Sequence, residues 1–246
     1  MKNVLIIGGT SGLGLEMAVK FFEEGHRVVV TGRRLLHDGI FSLSAPAESH
    51  KTIRVENLNL EYNTDSIGRI VFTNFREEGV DILVYAAGFY QKGTIGELSG
   101  IAIEDMLFVG LRAPAFILRH ILLHQEKLSG FIAISSTSQW TPKPEEPMYT
   151  AVKAGLYMLA NSVSLDERIG KVLVVAPAGI KTDFFKGHKT KEEMKDYLDP
   201  KWVADQIIGL YSNSLDPDGA HYEFRFAKIL RNPPRVVVEE TRYLNK

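Results

Sequence analysis

Short apolar runs that alternate with longer helical stretches constrain the fold of this chain more than any other feature of its sequence. The runs are rich in β-branched residues and lie at 4–7, 27–31, 53–57, 82–85, 131–135, 172–175 and 221–226. Most of their positions are apolar, which is the pattern of strands covered on both faces. They therefore predict a mainly parallel sheet between two layers of helices.

The stretches between these runs have helical periodicity over about residues 12–24, 63–78, 101–127, 148–168 and 200–213, whereas residues 35–50 fit a helix poorly. No repeat or long linker divides the chain. We predict an α/β protein with a Rossmann-type, doubly wound parallel sheet of about seven strands and a single domain over 1–246. Residues 227–246 are expected to form a tail, because Asn232-Pro233-Pro234 interrupts regular structure.

The composition favours a small-molecule partner. The chain has 29 Lys and Arg against 30 Asp and Glu and contains no cysteine. Near-neutral charge gives no electrostatic reason to bind nucleic acid or an anionic membrane, and the seven histidines show no metal-ligand spacing. No apolar run approaches the length of a membrane span, and the first one ends in glycines rather than in a signal-peptide pattern. We expect a cytoplasmic protein without metal, nucleic acid or membrane.

A glycine-rich turn, Gly8-Gly9-Thr10-Ser11-Gly12-Leu13-Gly14, joins the first predicted strand to the first predicted helix. Its glycines permit a tight turn and close approach of a pyrophosphate, and the helix N-terminus supplies amide donors. Such a turn also occurs without a ligand, but its place in a βαβ unit favours a dinucleotide. The residues predicted here to bind the cofactor are Gly8, Thr10, Ser11, Gly12, Leu13 and Gly14.

The end of the second predicted strand indicates which dinucleotide binds. It runs into Thr31-Gly32-Arg33-Arg34, with no acid to accept from the ribose 2′-hydroxyl of NAD. The Arg33 guanidinium can instead pair bidentately with the 2′-phosphate of NADP. The two arginines could also be a solvated turn. The sequence favours NADP(H), with NAD as the weaker alternative.

Tyr149 and Lys153 lie four residues apart at the start of a predicted helix, so both side chains project from one face. A phenol has a pKa of about 10, and an adjacent ammonium is expected to lower that pKa. The same spacing recurs at Tyr197 and Lys201, but Pro200 between them disfavours a continuous helix. We therefore predict that Tyr149 is the general acid/base.

A hydroxyl cluster at 135–138 stands at the end of the fifth short apolar run, 131–135. It is expected at the same edge of the sheet as Tyr149. By itself such a cluster is common turn chemistry. Because Ser136 can donate to a carbonyl oxygen beside Tyr149, its combination with the Tyr-Lys pair favours catalysis. The predicted catalytic residues are Ser136, Tyr149 and Lys153.

Together these motifs resemble those of the short-chain dehydrogenase/reductase family over about residues 3–226. Gly8, Gly12 and Gly14 match its cofactor glycines, Ser136, Tyr149 and Lys153 its catalytic group, and residues 177–182 its Pro-Gly-x-x-x-Thr segment. The resemblance implies hydride transfer between nicotinamide and a small carbonyl or alcohol substrate, with Lys153 on the nicotinamide ribose. It also implies cofactor contacts from Pro177, Ile180 and Thr182, from Asn59 near the adenine, and from Ala87 and Gly88.

One departure from the family bears on activity. Gly110 occupies the position of a helix-bending asparagine, whose backbone carbonyl holds a water that passes protons to the lysine. Glycine keeps that carbonyl, so we expect a reduced rate, raised by Gly110→Asn. The alternative function is a catalytically weak NADP(H)-binding sensor or regulatory protein. An epimerase or dehydratase of related longer proteins is disfavoured, because too little chain follows residue 182.

The resemblance also suggests substrate and assembly. Residues 183–199 take the place of the family's substrate loop, where Phe184 and Phe185 indicate a partly apolar substrate. Trp140 is expected to face the same cleft. All three aromatic side chains could instead cover the core. The family implies a homodimer or homotetramer built on the helices at 101–127 and 148–168.

Overall fold

The computed structural model describes residues 1–32, 40–41, 53–57, 65–75, 78–212 and 222–243. Within these ranges nine strands form one sheet, in the order β3-β4-β2-β1-β5-β6-β7-β8-β9. They are β1 (Asn3–Ile7), β2 (Arg27–Gly32), β3 (Ile40–Phe41), β4 (Ile53–Asn57), β5 (Ile82–Tyr85), β6 (Leu128–Ile134), β7 (Ile169–Pro177), β8 (Tyr222–Leu230) and β9 (Arg235–Tyr243). Seven are parallel, which confirms the predicted doubly wound sheet, and β3 and β9 add antiparallel edges.

Helices cover both faces of the sheet. They are α1 (Gly12–Glu23), α2 (Asp65–Phe75), α3 (Gly100–Leu107), α4 (Ala113–His124), α5 (Pro147–Val163) and α6 (Pro200–Ser212). A π-helical segment, Phe108–Arg112, joins α3 and α4 into one continuous helix. The predicted helices are confirmed to within a few residues, while the π-helical segment was not anticipated.

The strands are apolar throughout because the sheet is buried on both sides. Leu5 and Ile7 of β1 lie in the core beneath α2, α4 and α5. Val4 and Ile6 point to the opposite side and pack in the core beneath α1 and α6. Each of these four side chains is at most 1% exposed. Alternate residues therefore serve two cores, which explains why these runs lack the polar alternation of a half-exposed strand.

The expectation that no segment reaches membrane-spanning length is wrong for one helix of the described residues. Gly100–His124 has 25 residues and is long and apolar enough to cross a membrane by length and composition alone. Its Ile117 and Ile121 are buried against the sheet. Phe116 and Leu123 on the same helix are exposed. The segment has this composition because it packs as a core helix and is also partly apolar on its outer side.

Most of the predicted C-terminal tail belongs to the sheet. The strand predicted at 221–226 is β8, which continues to Leu230, and the chain turns back through residues 231–234 into β9. β9 pairs antiparallel with β8, from Leu230 opposite Arg235 to Tyr222 opposite Tyr243. Asn232-Pro233-Pro234 thus lies in the turn of a hairpin. The turn stands at the carboxyl end of β8, on the edge of the sheet where β7 also ends.

Candidate active site

A cavity of about 760 Å³ opens at the carboxyl edge of the parallel strands. β1 pairs with β2 on one side and with β5 on the other, so the connections diverge at this point of the sheet, where doubly wound folds bind ligands. The predicted cofactor residues that line the cavity are Gly8, Thr10, Ser11, Gly12, Leu13, Gly14, Ala87, Gly88, Lys153, Pro177, Ile180 and Thr182. Arg33 and Asn59 lie outside the described residues.

The glycine turn after β1 requires glycine for steric reasons. Gly8 and Gly12 have φ values of 85° and 55°, which side chains rarely adopt. A Cβ on Gly8 would lie 2.6 Å from the backbone nitrogen of Ala87, and one on Gly14 would lie 2.2 Å from the Gly8 carbonyl oxygen. The turn is therefore as close to the β5 end and to α1 as backbone atoms permit.

The start of α1 provides a cradle that fits a dinucleotide pyrophosphate. Ser11 precedes the helix, and its side chain makes no capping hydrogen bond in the described structure. The first turn of α1 (Gly12, Leu13 and Gly14) lines the cavity. Its amides and the positive end of the helix dipole therefore favour an anionic group there.

Ser136 is held in an extended backbone conformation at the end of β6. It precedes a short 3₁₀ helix, Thr137–Trp140, and its hydroxyl oxygen accepts from the Ser138 amide at 3.1 Å. That bond uses a lone pair and leaves the O–H to donate. The Ser135 hydroxyl lies 3.0 Å from the Lys153 carbonyl oxygen, which ties the end of β6 to α5.

Tyr149 and Lys153 are one turn apart near the start of α5, which has Pro147 at its first position. The Lys153 ammonium donates to the Ile134 carbonyl oxygen at 2.8 Å and lies 5.8 Å from the centroid of the Tyr149 ring. Both side chains line the cavity, as does Ser136. The structure thus brings the three predicted catalytic residues to one place.

Burial determines the protonation states of this pair. It raises the pKa of Tyr149 to about 12, although the neighbouring Ser136 hydroxyl lowers that pKa. Burial also lowers the pKa of Lys153 to about 8. The prediction that the Tyr149 pKa lies below its ordinary value is therefore wrong, because desolvation of the phenolate raises the net pKa. Tyr149 is a protonated phenol at neutral pH.

A buried carboxylate lies beside Tyr149. Glu146 is 4% exposed and accepts from the Tyr90 hydroxyl at 2.7 Å, from the Ser138 hydroxyl at 3.2 Å and from Lys143, at 2.9 Å to each oxygen. These donors, Lys143 and Tyr90 foremost, keep the pKa of Glu146 low despite its burial. Sequence reasoning missed this network, because its members share no local spacing that indicates a function.

The predicted aromatic residues divide into two groups. Phe184 and Phe185 line the cavity, and the Phe184 ring lies 6.1 Å from that of Tyr149. Trp140 does not line it. Its indole instead packs on the Phe226 ring at 5.9 Å and beneath the Lys228 ammonium. Trp140 therefore covers the core at Phe226, as the alternative interpretation of the sequence had it, and does not face the cleft.

The second Tyr-Lys pair, Tyr197 and Lys201, is interrupted as predicted, but Tyr197 lies unexpectedly at the cavity. α6 begins at Pro200, so Tyr197 and Lys201 do not share a helix. Tyr197 nevertheless lines the cavity. Its ring packs so closely on Gly179 that a Cβ there would lie 2.5 Å away. Tyr197 is a wall of the cavity, separate from the Tyr149 and Lys153 pair.

Gly110 lies inside the π-helical segment, where its lack of a side chain permits close helix packing. A Cβ on Gly110 would lie 2.5 Å from the Cβ of Val152 on α5. Pro114 has no N–H, so it cannot donate to the carbonyl of Gly110, four residues earlier, or to that of Val109, five residues earlier. The Tyr85 hydroxyl donates to the Val109 carbonyl. Gly110→Asn would therefore collide with Val152, so this substitution is not expected to raise the rate.

Comparisons with known proteins agree with this geometry. A family profile described as short chain dehydrogenase matches residues 2–193. An uncharacterized oxidoreductase of Staphylococcus epidermidis is 24% identical over 213 residues, covering 84% of this chain and 89% of that protein. Human dehydrogenase/reductase SDR family member 4 is 26% identical over 215 residues, covering 80% and 74% respectively.

A solved structure shows the same fold. The short chain dehydrogenase from Burkholderia cenocepacia, in complex with NADP, matches with a TM-score of 0.70 and 20% identity over 85% of this chain and 89% of that one. The family profile covers most of the chain, including the glycine turn and Ser136, Tyr149 and Lys153. The chain therefore belongs to the short-chain dehydrogenase/reductase family of oxidoreductases.

Proposed function

We propose that this protein is an NADP(H)-dependent oxidoreductase that interconverts a carbonyl compound and its alcohol. The observation that carries the proposal is the position of Ser136, Tyr149 and Lys153 in the same cavity as the glycine turn. The Burkholderia relative with bound NADP supports the choice of cofactor. The lack of an acid after β2, where Arg33 stands, supports NADP over NAD.

The cofactor-binding and catalytic residues of the cavity have separate roles in the proposed reaction. The first turn of α1 binds the pyrophosphate, and Ile180 and Thr182 contact the nicotinamide half of the cofactor. When bound, the nicotinamide supplies the hydride for reduction or accepts it in oxidation. Lys153 holds the nicotinamide ribose, and Ser136 donates to the substrate carbonyl oxygen.

Tyr149 moves the proton. In reduction its hydroxyl, protonated because burial raises its pKa, gives a proton to the substrate oxygen as the carbon is reduced. The resulting phenolate is then stabilised by the Ser136 O–H and by the Lys153 ammonium. Because the pKa of Lys153 is about 8, the ammonium keeps its charge at pH values below that. In alcohol oxidation the same group accepts the proton.

A panel of aldehydes and ketones, assayed with NADPH and with NADH, tests the proposal. We expect absorbance at the nicotinamide band to fall with some partly apolar carbonyl compounds, and faster with NADPH. Single-turnover measurements with excess protein extend the test to slow reactions. Tight NADPH binding without hydride transfer to any compound would favour the sensor or regulatory alternative.

Cofactor preference is tested by Arg33→Ala. Loss of a bidentate partner of the 2′-phosphate should weaken NADPH binding by at least about tenfold and leave NADH binding nearly unchanged. Calorimetric titration measures both. The control is Arg27→Ala, because Arg27 is an exposed arginine at the opposite, amino end of β2. Equal affinity of the wild-type protein for NADPH and NADH would refute the assignment to NADP.

A further inference from the structure

A continuous row of aromatic rings runs along the cavity from Tyr149. The ring of Tyr149 meets that of Tyr90 at 5.6 Å, Tyr90 meets Phe185 at 5.1 Å, and Phe185 meets Tyr197 at 5.4 Å. We call these four residues the aromatic wall. All four line the cavity. The wall offers an apolar surface several rings long that begins at the proton donor.

A guanidinium stands at the far end of the wall. Arg231, in the turn between β8 and β9, lies over the Tyr197 ring with its central carbon 4.9 Å from the centroid. Arg231 lines the cavity, as does Lys189 from the loop before α6. In the part of the chain that the structure describes, neither side chain forms an ion pair.

The other two cations of the described cavity lining are already engaged. Lys143 donates to both oxygens of Glu146. Lys153 donates to the Ile134 carbonyl oxygen beside the proton donor. Three carboxylates, Asp105, Glu146 and Asp183, line the cavity, and among the described residues none of them pairs with Arg231 or Lys189. Among the described residues, the cations of the cavity that are available to a ligand are therefore Arg231 and Lys189.

From this arrangement we infer that the substrate is a keto acid or hydroxy acid whose carboxylate is separated from the reacting carbon by an extended apolar body. The reacting oxygen lies at Tyr149, the apolar body lies along the aromatic wall, and the carboxylate pairs with Arg231. A guanidinium over an aromatic ring presents its N–H groups in the planar arrangement that suits a carboxylate. This inference rests on the proposed function and names its substrate class.

The kinetic test compares 9-oxodecanoate with its methyl ester, which has the same ketone and chain but no charge. We expect the wild-type protein, with NADPH, to have a KM for the acid about tenfold below that for the ester, the effect of one charge-assisted hydrogen bond. Arg231→Gln should raise the ratio of the acid KM to the ester KM about tenfold. Arg231→Lys should restore part of the difference, and kcat for the acid should change much less than KM.

The control is Arg235→Gln. Arg235 is an exposed arginine at the start of β9 that contacts the Pro233 carbonyl and does not line the cavity. This variant should keep both KM values. Equal KM values for acid and ester in the wild-type protein, or equal changes in both on Arg231→Gln, would overturn the inference while leaving the oxidoreductase proposal intact.

A binding measurement separates failure of the inference from failure of the proposed function. Decanoate, which has no ketone, is titrated calorimetrically into the protein saturated with NADP⁺. Binding that weakens about tenfold in Arg231→Gln but not in Arg235→Gln supports the carboxylate site even if neither ketone is reduced. Absence of decanoate binding, or binding indifferent to Arg231, overturns it even if other carbonyl compounds are reduced.

Discussion

The Tyr149 phenol and the Lys153 ammonium share one buried region, and burial moves their pKa values in opposite directions. A buried phenol keeps its proton, which suits a general acid for carbonyl reduction. A buried ammonium gives up its proton more readily, which limits the pH range over which it can stabilise the phenolate. If the pair acts as proposed, we expect it to work best below the Lys153 pKa of about 8.

The lysine pKa predicts a pH dependence of stability. Lys153 has a pKa of about 8 in the fold, against 10.5 in the unfolded chain, so between these values the unfolded chain binds the extra proton. The free energy of unfolding should therefore rise from about pH 8 to about pH 10 by more in the wild-type protein than in Lys153→Met. Urea denaturation at several pH values measures this difference, and parallel profiles would contradict the shifted pKa.

Tyr149→Phe tests the proton donor. The change removes the transferable proton but keeps the ring in the aromatic wall, so turnover should fall at least about 100-fold while NADPH binding is nearly unchanged. Tyr197→Phe is the matched control, because it also removes one hydroxyl from the same wall. It should retain most of the activity. Comparable losses in the two variants would show that Tyr149 was wrongly chosen.

Among single residues, the sequence predicts those site residues that lie close together along the chain. Tyr149 and Lys153 are separated by one helical turn, and the glycines lie within one turn of chain, so spacing alone indicates their contact. Arg231 and Tyr197 reach the cavity only because β8 ends at the same sheet edge and the loop before α6 folds back over it. No short-range pattern encodes that proximity, and sequence reasoning took Tyr197 as a chance match.

Among the helices, the π-helical segment between α3 and α4 has an identifiable cause. Pro114 removes a backbone donor just after it, and Tyr85 from β5 supplies a hydroxyl to the Val109 carbonyl. Gly110 lets α5 approach at Val152. The helix therefore changes type locally around Gly110, and a side chain from a neighbouring strand stabilises that change.

Gly110→Ala tests the close packing of this segment on α5. A methyl group at 110 would meet Val152, and overpacking of this kind costs about 1–3 kcal/mol, more than the helix propensity gained from alanine. Urea denaturation should show a net loss of stability. Val152→Ala combined with Gly110→Ala should be more stable than the sum of the two single losses predicts.

Gly209→Ala is the control for that prediction. Gly209 lies inside α6, and a Cβ there would meet nothing within 4 Å. It should therefore stabilise the protein by about 0.5–1 kcal/mol through helix propensity alone. If both glycine variants were equally stabilising, the contact between Gly110 and Val152 would not be tight.

Strands and helices could be predicted wherever their burial produces a regular pattern of apolar residues in the sequence. The long apolar strands and the amphipathic helices were located from periodicity, because both faces of the sheet are covered. β9 was missed because its valines are followed by Glu239 and Glu240 and it has a mixed, partly exposed pattern typical of an edge. The Asn-Pro-Pro sequence was taken as the end of regular structure, although such residues also form the turn of a hairpin.

For the whole molecule, the outer surfaces of α4 and α5 suggest a self-association face. Both helices cover the same side of the sheet, yet Leu123 on α4 and Met158 on α5 are 60% and 57% exposed. Exposed apolar side chains on adjacent helices favour burial against a partner, and the family resemblance implies a second copy. The same exposure helps explain why Gly100–His124 has the composition of a membrane span.

We therefore expect a homodimer or homotetramer at micromolar concentration in light scattering coupled to size-exclusion chromatography. Leu123→Glu with Met158→Glu should shift the protein toward the monomer, because two charges would be buried without partners. Ile95→Glu is the control, since Ile95 is a similarly exposed apolar residue in a loop away from these helices. A wild-type monomer would contradict the expectation.

The turn that carries Arg231 lies beyond residue 193, where the match to the family profile ends. Tyr149, Tyr90 and Phe185 lie inside that match together with the glycine turn, whereas Tyr197 and Arg231, at the far end of the proposed substrate site, lie beyond it. A β8–β9 hairpin transplanted from a relative could therefore change which acid or neutral compound is accepted without altering the reaction itself. For protein engineering, the hairpin is thus the segment to exchange in order to alter the proposed preference for an acid.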